Sequence, residues 1–352
     1  MPSSPDAPFR LGIVGCGSIA ERHGRAAAAS AEVAIVACAD TRLDTAEDWA
    51  ARHGCERAYP DYVEMVREHE LDGVLLATWP NLHREQVLGC LGLGVSSILC
   101  EKALALSGAE ALDIRTAATE AGALVMEGYM YRRHPAIVML DELLAAGELG
   151  DLDSIHAAFS LFDPEESDPA DLARAWRQRV ETGGGAPYDI ACYCVDACNR
   201  FAGSPPRRVH AFTSRSERYG TVARVFGLVE YENGIVGTIE SSMRGDFNHE
   251  LRLSGTRGQA RLPVAWRIDH PTEVVASRSV GWGLTEERRF PIAVVDAYRL
   301  ELEGFAAAAR GTAPPVPTLA ESVITALTMD ALLASAAEGI AVEPALPAEL
   351  VS

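Results

Sequence analysis

Residues 10–40 read RLGIVGCGSIAERHGRAAAASAEVAIVACAD. The apolar run RLGIV predicts a strand, IAERHGRAAAAS a helix, and EVAIVACAD a second strand ending at Asp40. Between the first two lies GCGSIA, with Gly15, Gly17 and Ala20 in a G-x-G-x-x-A pattern. A bare glycine match is weak, but a strand before it and a helix after it are the context a dinucleotide turn requires. Gly15 permits the tight turn, Gly17 lets the backbone approach a pyrophosphate, and Ala20 allows close helix–strand packing. Ser18 and Ile19 open the helix, whose free N–H groups and positive dipole end face the phosphates. Asp40 stands where a carboxylate would bind the ribose hydroxyls, with Thr41 beside it. A carboxylate repels a 2′-phosphate, which favours NAD, while Arg42 leaves NADP open.

Outward from this unit the same grammar continues. A helix over TAEDWAARHG ends at Gly54, and strands follow at 72–78, 95–100 and 123–128, with helices at 82–94 and 107–122 between them. Alternation of this kind predicts a doubly wound parallel sheet of Rossmann type over residues 1–129. After residue 130 the pattern changes. HPAIVMLDELLAAGELG predicts a helix and SIHAAFSLF a strand. Residues 163–188 are irregular, and a helix is expected near 189–202. From 207 to 290 the runs alternate with period two, and YENG (231–234) marks a tight hairpin. The expectation for 130–352 is an α+β domain with a large open, mainly antiparallel sheet. Its two closing helices, near 294–310 and 319–338, are candidates to pack back on the first domain.

The 352 residues exceed what one small core organises, in keeping with two domains. The formal charge of −19 repels phosphate backbones and anionic membranes, so neither nucleic acid nor membrane is expected as a partner. No stretch approaches the roughly 20 uncharged apolar residues that span a bilayer. The first ten residues, MPSSPDAPFR, carry no leader pattern, which makes the cytoplasm the expected location. Eight cysteines lie mostly in apolar runs and read as buried thiols. Cys192 and Cys194 point about 200° apart on a helix, poor geometry for a metal, and no metal is expected.

Further motifs are ATWPNLH (77–83), Glu101-Lys102-Ala103 after the strand ILC, MEGYMYRRHP (126–135), RAWRQ (174–178), GGGAPYDIACY (183–193) and YRLELEGFAAAARG. Together with GCGSIA they resemble the glucose–fructose oxidoreductase, inositol dehydrogenase and rhizopine catabolism family (Gfo/Idh/MocA) along nearly the whole chain. The resemblance is to the branch with tyrosine, here Tyr193, that includes dimeric dihydrodiol dehydrogenase and xylose dehydrogenase. Two departures stand out: Ala103 replaces the family's proline after Glu-Lys, and Thr78-Trp79-Pro80 replaces Thr-Pro-Asn.

The resemblance implies hydride transfer between nicotinamide and a secondary alcohol or ketone of a sugar-like ring. Cofactor contacts are expected from Gly15, Gly17, Ser18, Ile19, Ala20, Asp40, Thr41, Arg42, Thr78, Trp79, His83, Glu101 and Lys102. It implies that Lys102 and Tyr193 share the reacting oxygen, with Tyr193 as proton donor and acceptor. A free phenol titrates near pH ~10, and a neighbouring ammonium lowers that. Asp189, four residues before Tyr193, is expected to bind a sugar hydroxyl or to orient Lys102; it also reads as a helix cap. Arg132, Arg133, His134, Trp176 and Arg177 read as substrate contacts or, equally, as a helix start and packing. Tyr193 itself also reads as core. A homodimer or homotetramer through the C-terminal sheet is expected. The alternatives are an NAD-retaining glycosidase, a dihydrodiol dehydrogenase and a non-enzymatic NAD sensor.

Overall fold

The computed structural model describes residues 7–162, 176–266 and 270–350. Part of the irregular segment 163–188, namely 163–175 with the first two residues of RAWRQ, lies outside them. The chain divides into two compact units. One takes in the chain through Met130 plus Tyr298–Ser322, the other Tyr131–Ala297 plus Val323 onward.

In the first unit six parallel strands run in the order β3-β2-β1-β4-β5-β6. They are β1 (Phe9–Val14), β2 (Val33–Ala39), β3 (Arg57–Tyr59), β4 (Gly73–Leu76), β5 (Ser97–Glu101) and β6 (Leu124–Gly128). The helices are α1 (Ser18–Ala28), α2 (Leu43–His53), α3 (Tyr62–Glu68), α4 (Pro80–Gly92) and α5 (Gly108–Ala121). All of β4 and β5 is buried, which explains strands that are apolar without alternation. Strand β3 and helix α3 were not expected. At three and seven residues they are too short for a periodic signal to emerge from ERAYPDYVEMVREHE. A late helix, α8 (Ala297–Ala309), joins the core of this unit through Leu302, Phe305 and Ala306, and Phe305 meets Phe9 edge to face at 5.8 Å.

The second unit holds α6 (Pro135–Ala145), β7 (Leu152–Phe162), α7 (Cys192–Ala202) and strands β8 (Pro206–Arg215), β9 (Val222–Tyr231) and β10 (Val236–Ser242). Strands β11 (Arg244–Asn248), β12 (Leu251–Gly255), β13 (Gly258–Leu262), β14 (Thr272–Gly281) and β15 (Leu284–Ile292) complete its sheet. The order is β15-β14-β13-β12-β7-β10-β9-β8, with β11 also on β7. All pairings are antiparallel except β7 with β10, which is parallel from Ser154↔Val236 to Ser160↔Ser242. The sheet is therefore mixed.

Helix α9 (Leu319–Glu338) is long and apolar enough to cross a membrane by length and composition, contrary to the expectation that no stretch approached that limit. Half of its apolar window is buried, and its bonds account for it. Thr325 and Thr328 accept from Asn199, and Ser335 accepts the amide of Ala211.

The run GGGAPY has a reason inside this unit. A Cβ on Gly184 would lie 2.5–2.6 Å from the carbonyl oxygens of Trp176, Arg177 and Arg179. Gly185 has φ +102° and would press the carbonyl of Val222 at 2.6 Å. Backbone crowding on both sides admits only glycine. Gly184→Ala should therefore lower stability by at least about 2 kcal/mol. Gly17→Ala meets nothing within 4 Å and should leave the thermal midpoint nearly unchanged. Paired calorimetric scans check both.

Candidate active site

The turn after β1 is built as the sequence requires. Gly15 has φ +89° and donates its amide to Ala39 at 2.8 Å; a Cβ there would meet the Ala77 carbonyl at 2.8 Å. Gly17 caps α1 without any side-chain hydrogen bond, and the space where its Cβ would stand is open. Ala20 is fully buried, whereas Ser18 is exposed. An uncapped helix N-terminus with open space above its glycine fits a pyrophosphate. Asp40 is tied to this loop. One carboxylate oxygen accepts the amide of Cys16 and the other that of Arg42, each at 3.0 Å. Thr41 and Arg42 are exposed at the strand's end.

Lys102 follows β5 and is the only lysine in the chain. With Lys+Arg at 31, the other 30 cations are arginine (31 − 1). An ammonium is compact and titratable where a guanidinium is planar and always charged, so Lys102 offers a chemistry that no arginine of the chain has. The segment that carries it is held residue by residue. Glu101 accepts the amide of Lys102 at 3.2 Å, and Glu127 accepts that of Leu104 at 2.8 Å. The buried imidazole of His83 lies 2.8 Å from the carbonyl of Ala103 and 3.2 Å from that of Thr78. Burial pushes the pKa of His83 down, so the ring is neutral and its one N–H donates to one of these two carbonyls. The Lys102–Ala103 peptide is cis where the family has proline. Trp79 precedes α4 as its N-cap and Pro80 is its first residue.

In the second unit residues Pro187–Ala191 form a π-helical turn that runs into α7. Wider turns of this kind recur at functional sites. They also change the expected register, because Asp189 and Tyr193 are not two steps of one regular α-helix. The carboxylate of Asp189 accepts from Arg177 Nε at 2.7 Å, and the Arg177 guanidinium lies 4.6 Å from the Trp176 ring centroid. No side chain caps the turn, so Asp189 is not its cap. Tyr193 is buried beside Phe159, Trp266 and Tyr131, with ring centroids 5.4–6.0 Å away.

Of the other candidates, Arg132 has a structural task. Its guanidinium pairs with Asp196 in two hydrogen bonds of 2.6 and 2.7 Å, both side chains buried, and Tyr131 donates to the same carboxylate. A guanidinium inside a protein requires such a partner, and removing one member costs about 3–5 kcal/mol. Arg133 is half-buried. His134 caps α6 by accepting the amide of Ala136 through Nδ1. The sequence reading missed Asp196, Tyr131, His23 and Glu301. The uniqueness of Lys102 was the signal available for the loop that follows β5.

Two sequence families match: residues 9–129 match an oxidoreductase family with an NAD-binding Rossmann fold, and residues 137–261 match the GFO/IDH/MocA C-terminal domain. The chain is 30% identical over 333 residues to D-xylose 1-dehydrogenase (NADP(+)) 2 of Haloferax volcanii, covering 95% of this chain and 99% of that one. It is 30% identical over 274 residues to trans-1,2-dihydrobenzene-1,2-diol dehydrogenase of Mus musculus, covering 76% and 78%. The chain belongs to the GFO/IDH/MocA family.

Solved relatives share the GFO/IDH/MocA fold at low identity. A levoglucosan dehydrogenase in complex with NADH and levoglucosan has a TM-score of 0.86 at 21% identity, covering 96% of this chain and 100% of that one. A 3-ketoreductase from Actinomadura kijaniata in complex with NADP and TDP-benzene has 0.83 at 23%, covering 93% and 98%. The eight thiols of this GFO/IDH/MocA chain are free, and burial pushes those of Cys100 and Cys194 well up.

Burial holds His134 at a pKa of about 4 against an ordinary 6.5. The unfolded chain takes up this proton below about 6.5 and the folded chain does not until about 4. Stability from His134 is therefore full above 6.5 and is lost as pH falls toward 4, by about 3 kcal/mol. His134→Asn keeps a cap acceptor without the titration. Denaturant melts at pH 7 and 4.5 should show a smaller acid loss in the variant than in wild type.

Proposed function

We propose that the chain is a sugar dehydrogenase that uses NAD(P) to oxidise a secondary alcohol of a sugar-like ring or to reduce the matching ketone. The observation that carries the reading is the single lysine of the chain, standing at the carboxyl end of β5, the edge where parallel sheets bind ligands. The full-length likeness to a xylose dehydrogenase supports the substrate class. Bound nicotinamide supplies the hydride acceptor or donor. The ammonium of Lys102 polarises the reacting oxygen, and the phenol of Tyr193 exchanges the proton with it. Asp189, fixed by Arg177, binds a neighbouring hydroxyl. The 3-ketoreductase has also been solved as lysine-to-alanine and tyrosine-to-phenylalanine mutants, the same two residue types. Eight free thiols fit a reducing compartment such as the cytoplasm.

A screen of D-xylose, levoglucosan, inositols, nucleotide-linked 3-ketosugars and trans-1,2-dihydrodiols with both cofactors tests the class. Turnover on dihydrodiols alone would overturn it, and so would tightly retained NAD with no net cofactor conversion. On the best sugar, Lys102→Ala and Tyr193→Phe should each lower kcat by roughly 10²-fold or more. Cofactor Kd and the thermal midpoint should stay near wild type. Near-normal turnover in either variant removes that residue from the chemistry.

We also propose that the chain forms a homodimer or homotetramer through the second unit's sheet. Phe212 and Phe226 face each other across β8 and β9 and are exposed, with Leu228 beside them. The same face of β10 is polar, carrying Thr238 and Glu240, so the apolar patch is narrower than the strand pattern indicated. Light scattering at micromolar concentration should give at least twice the 37.7 kDa of one chain, and Phe212→Glu with Phe226→Glu should reduce it. A single-chain mass for wild type refutes the assembly.

A further inference from the structure

His23, Glu101 and Glu301 form a buried trio in the first unit, contributed by α1, the end of β5 and α8. Their relative exposures are 0%, 6% and 3%, and their donor atoms all lie within 4.8 Å of one another. His23 Nε2 is 2.7 Å from one carboxylate oxygen of Glu101. The other oxygen accepts the amide of Lys102 at 3.2 Å. The ring of Tyr298 packs edge-on against His23 at 5.2 Å. The carboxylate of Glu301 lies beside Gly128, where a Cβ would be 3.5 Å from its Oε1 and 3.4 Å from Glu101 Cα.

The donor set is one that binds metals, but the spacing is not. Two ligands each about 2.0–2.2 Å from a tetrahedral ion stand well over 3 Å apart. A separation of 2.7 Å is a direct hydrogen bond. Nor is stability an adequate reason for the trio. Two carboxylates and an imidazole in a core cost more than apolar residues of equal volume. What His23 does provide is a fixed orientation for Glu101, the residue bonded to the Lys102 amide.

We propose that His23 is a positioning residue for Lys102. It acts through Glu101, whose carboxylate it holds in the orientation that accepts the Lys102 amide, and so sets the direction in which the amine leaves β5. The inference rests on Lys102 as the polarising amine. It joins α1, the helix that opens on the glycine turn, to the loop that carries the lysine.

The side-chain chemistry supplies the test. A glutamine at position 23 places an amide N–H where imidazole Nε2 stands, whereas an asparagine reaches only the Nδ1 position. His23→Gln therefore keeps the bond to Glu101, and His23→Asn loses it. With the best sugar of the screen, His23→Asn should lower kcat by roughly 10- to 100-fold, the usual penalty for a small misplacement. Cofactor Kd should move less than about twofold, on the ordinary scale of a residue outside the binding contacts. His23→Gln should recover most of the loss.

Because the chain has one lysine, reductive ¹³C-methylation labels only Lys102 and the α-amine, so Lys102 can be followed without substrate. Its methyl resonance should shift or broaden in His23→Asn and match wild type in His23→Gln. Placed on Lys102→Ala, His23→Asn should lower kcat no further. Equal activity and equal resonances in the Asn and Gln variants overturn the proposal, as does a loss that tracks the thermal midpoint. If His23→Asn does not fold, His23→Met, which fills the space without an N–H, carries the same comparison. Wild-type turnover in Lys102→Ala alone refutes the lysine assignment, and this inference with it; a normal Lys102→Ala effect with silent His23 variants refutes this inference only.

Discussion

The chain must carry one ammonium out of β5 along a segment that has almost no water to bond. Ala103, Leu104 and Ala105 are buried, and a buried amide or carbonyl without a partner costs about 1–3 kcal/mol. The fold meets this constraint with titratable side chains: Glu101 and Glu127 take amides, and His83 takes a carbonyl. Each of these is itself buried, so each needs support in turn, and His23 is the support of Glu101. The polar interior of the first unit is thus organised around the exit of a single side chain. Its hydrophobic layers, from Leu11 to Phe305, supply the rigid frame in which such bonds hold their length.

Asp40 extends the same logic to the cofactor end. Its two oxygens accept amides from Cys16 and Arg42, and each oxygen keeps a further lone pair for a ribose hydroxyl. The carboxylate therefore shapes the glycine turn.

Much of this was legible in the sequence, and the failures have physical reasons. Strands β1, β2, β4, β5 and β6 were readable because parallel strands are apolar throughout and glycine marks their turns. Short β3 and α3 leave no period to detect. The parallel contact of β7 with β10 depends on chain path, which residue pattern does not encode. Gly184 and Gly185 stand out in the sequence only as a glycine run, and their purpose lies against Trp176, Arg177 and Val222, contacts between segments far apart in sequence or in irregular turns. Arg132 and Arg133 read equally as substrate contacts or as the start of a helix. Only the fold reveals that Asp196, 64 residues on, is the partner of Arg132.

The parallel pairing at the centre of the second sheet has a consequence for how the chain is made. Strand β7 has β10 on one side and β11 and β12 on the other, and its first partner, Val236, is 82 residues downstream of Ser154 (236 − 154). Throughout synthesis of that interval the strand that carries Ile155, Ala157 and Phe159 has no edge to join. The hairpin of β8 and β9 meanwhile closes locally. Vectorial synthesis thus makes the central strand of this sheet first and leaves it without a partner until β10 emerges, with the β13–β15 edge added last.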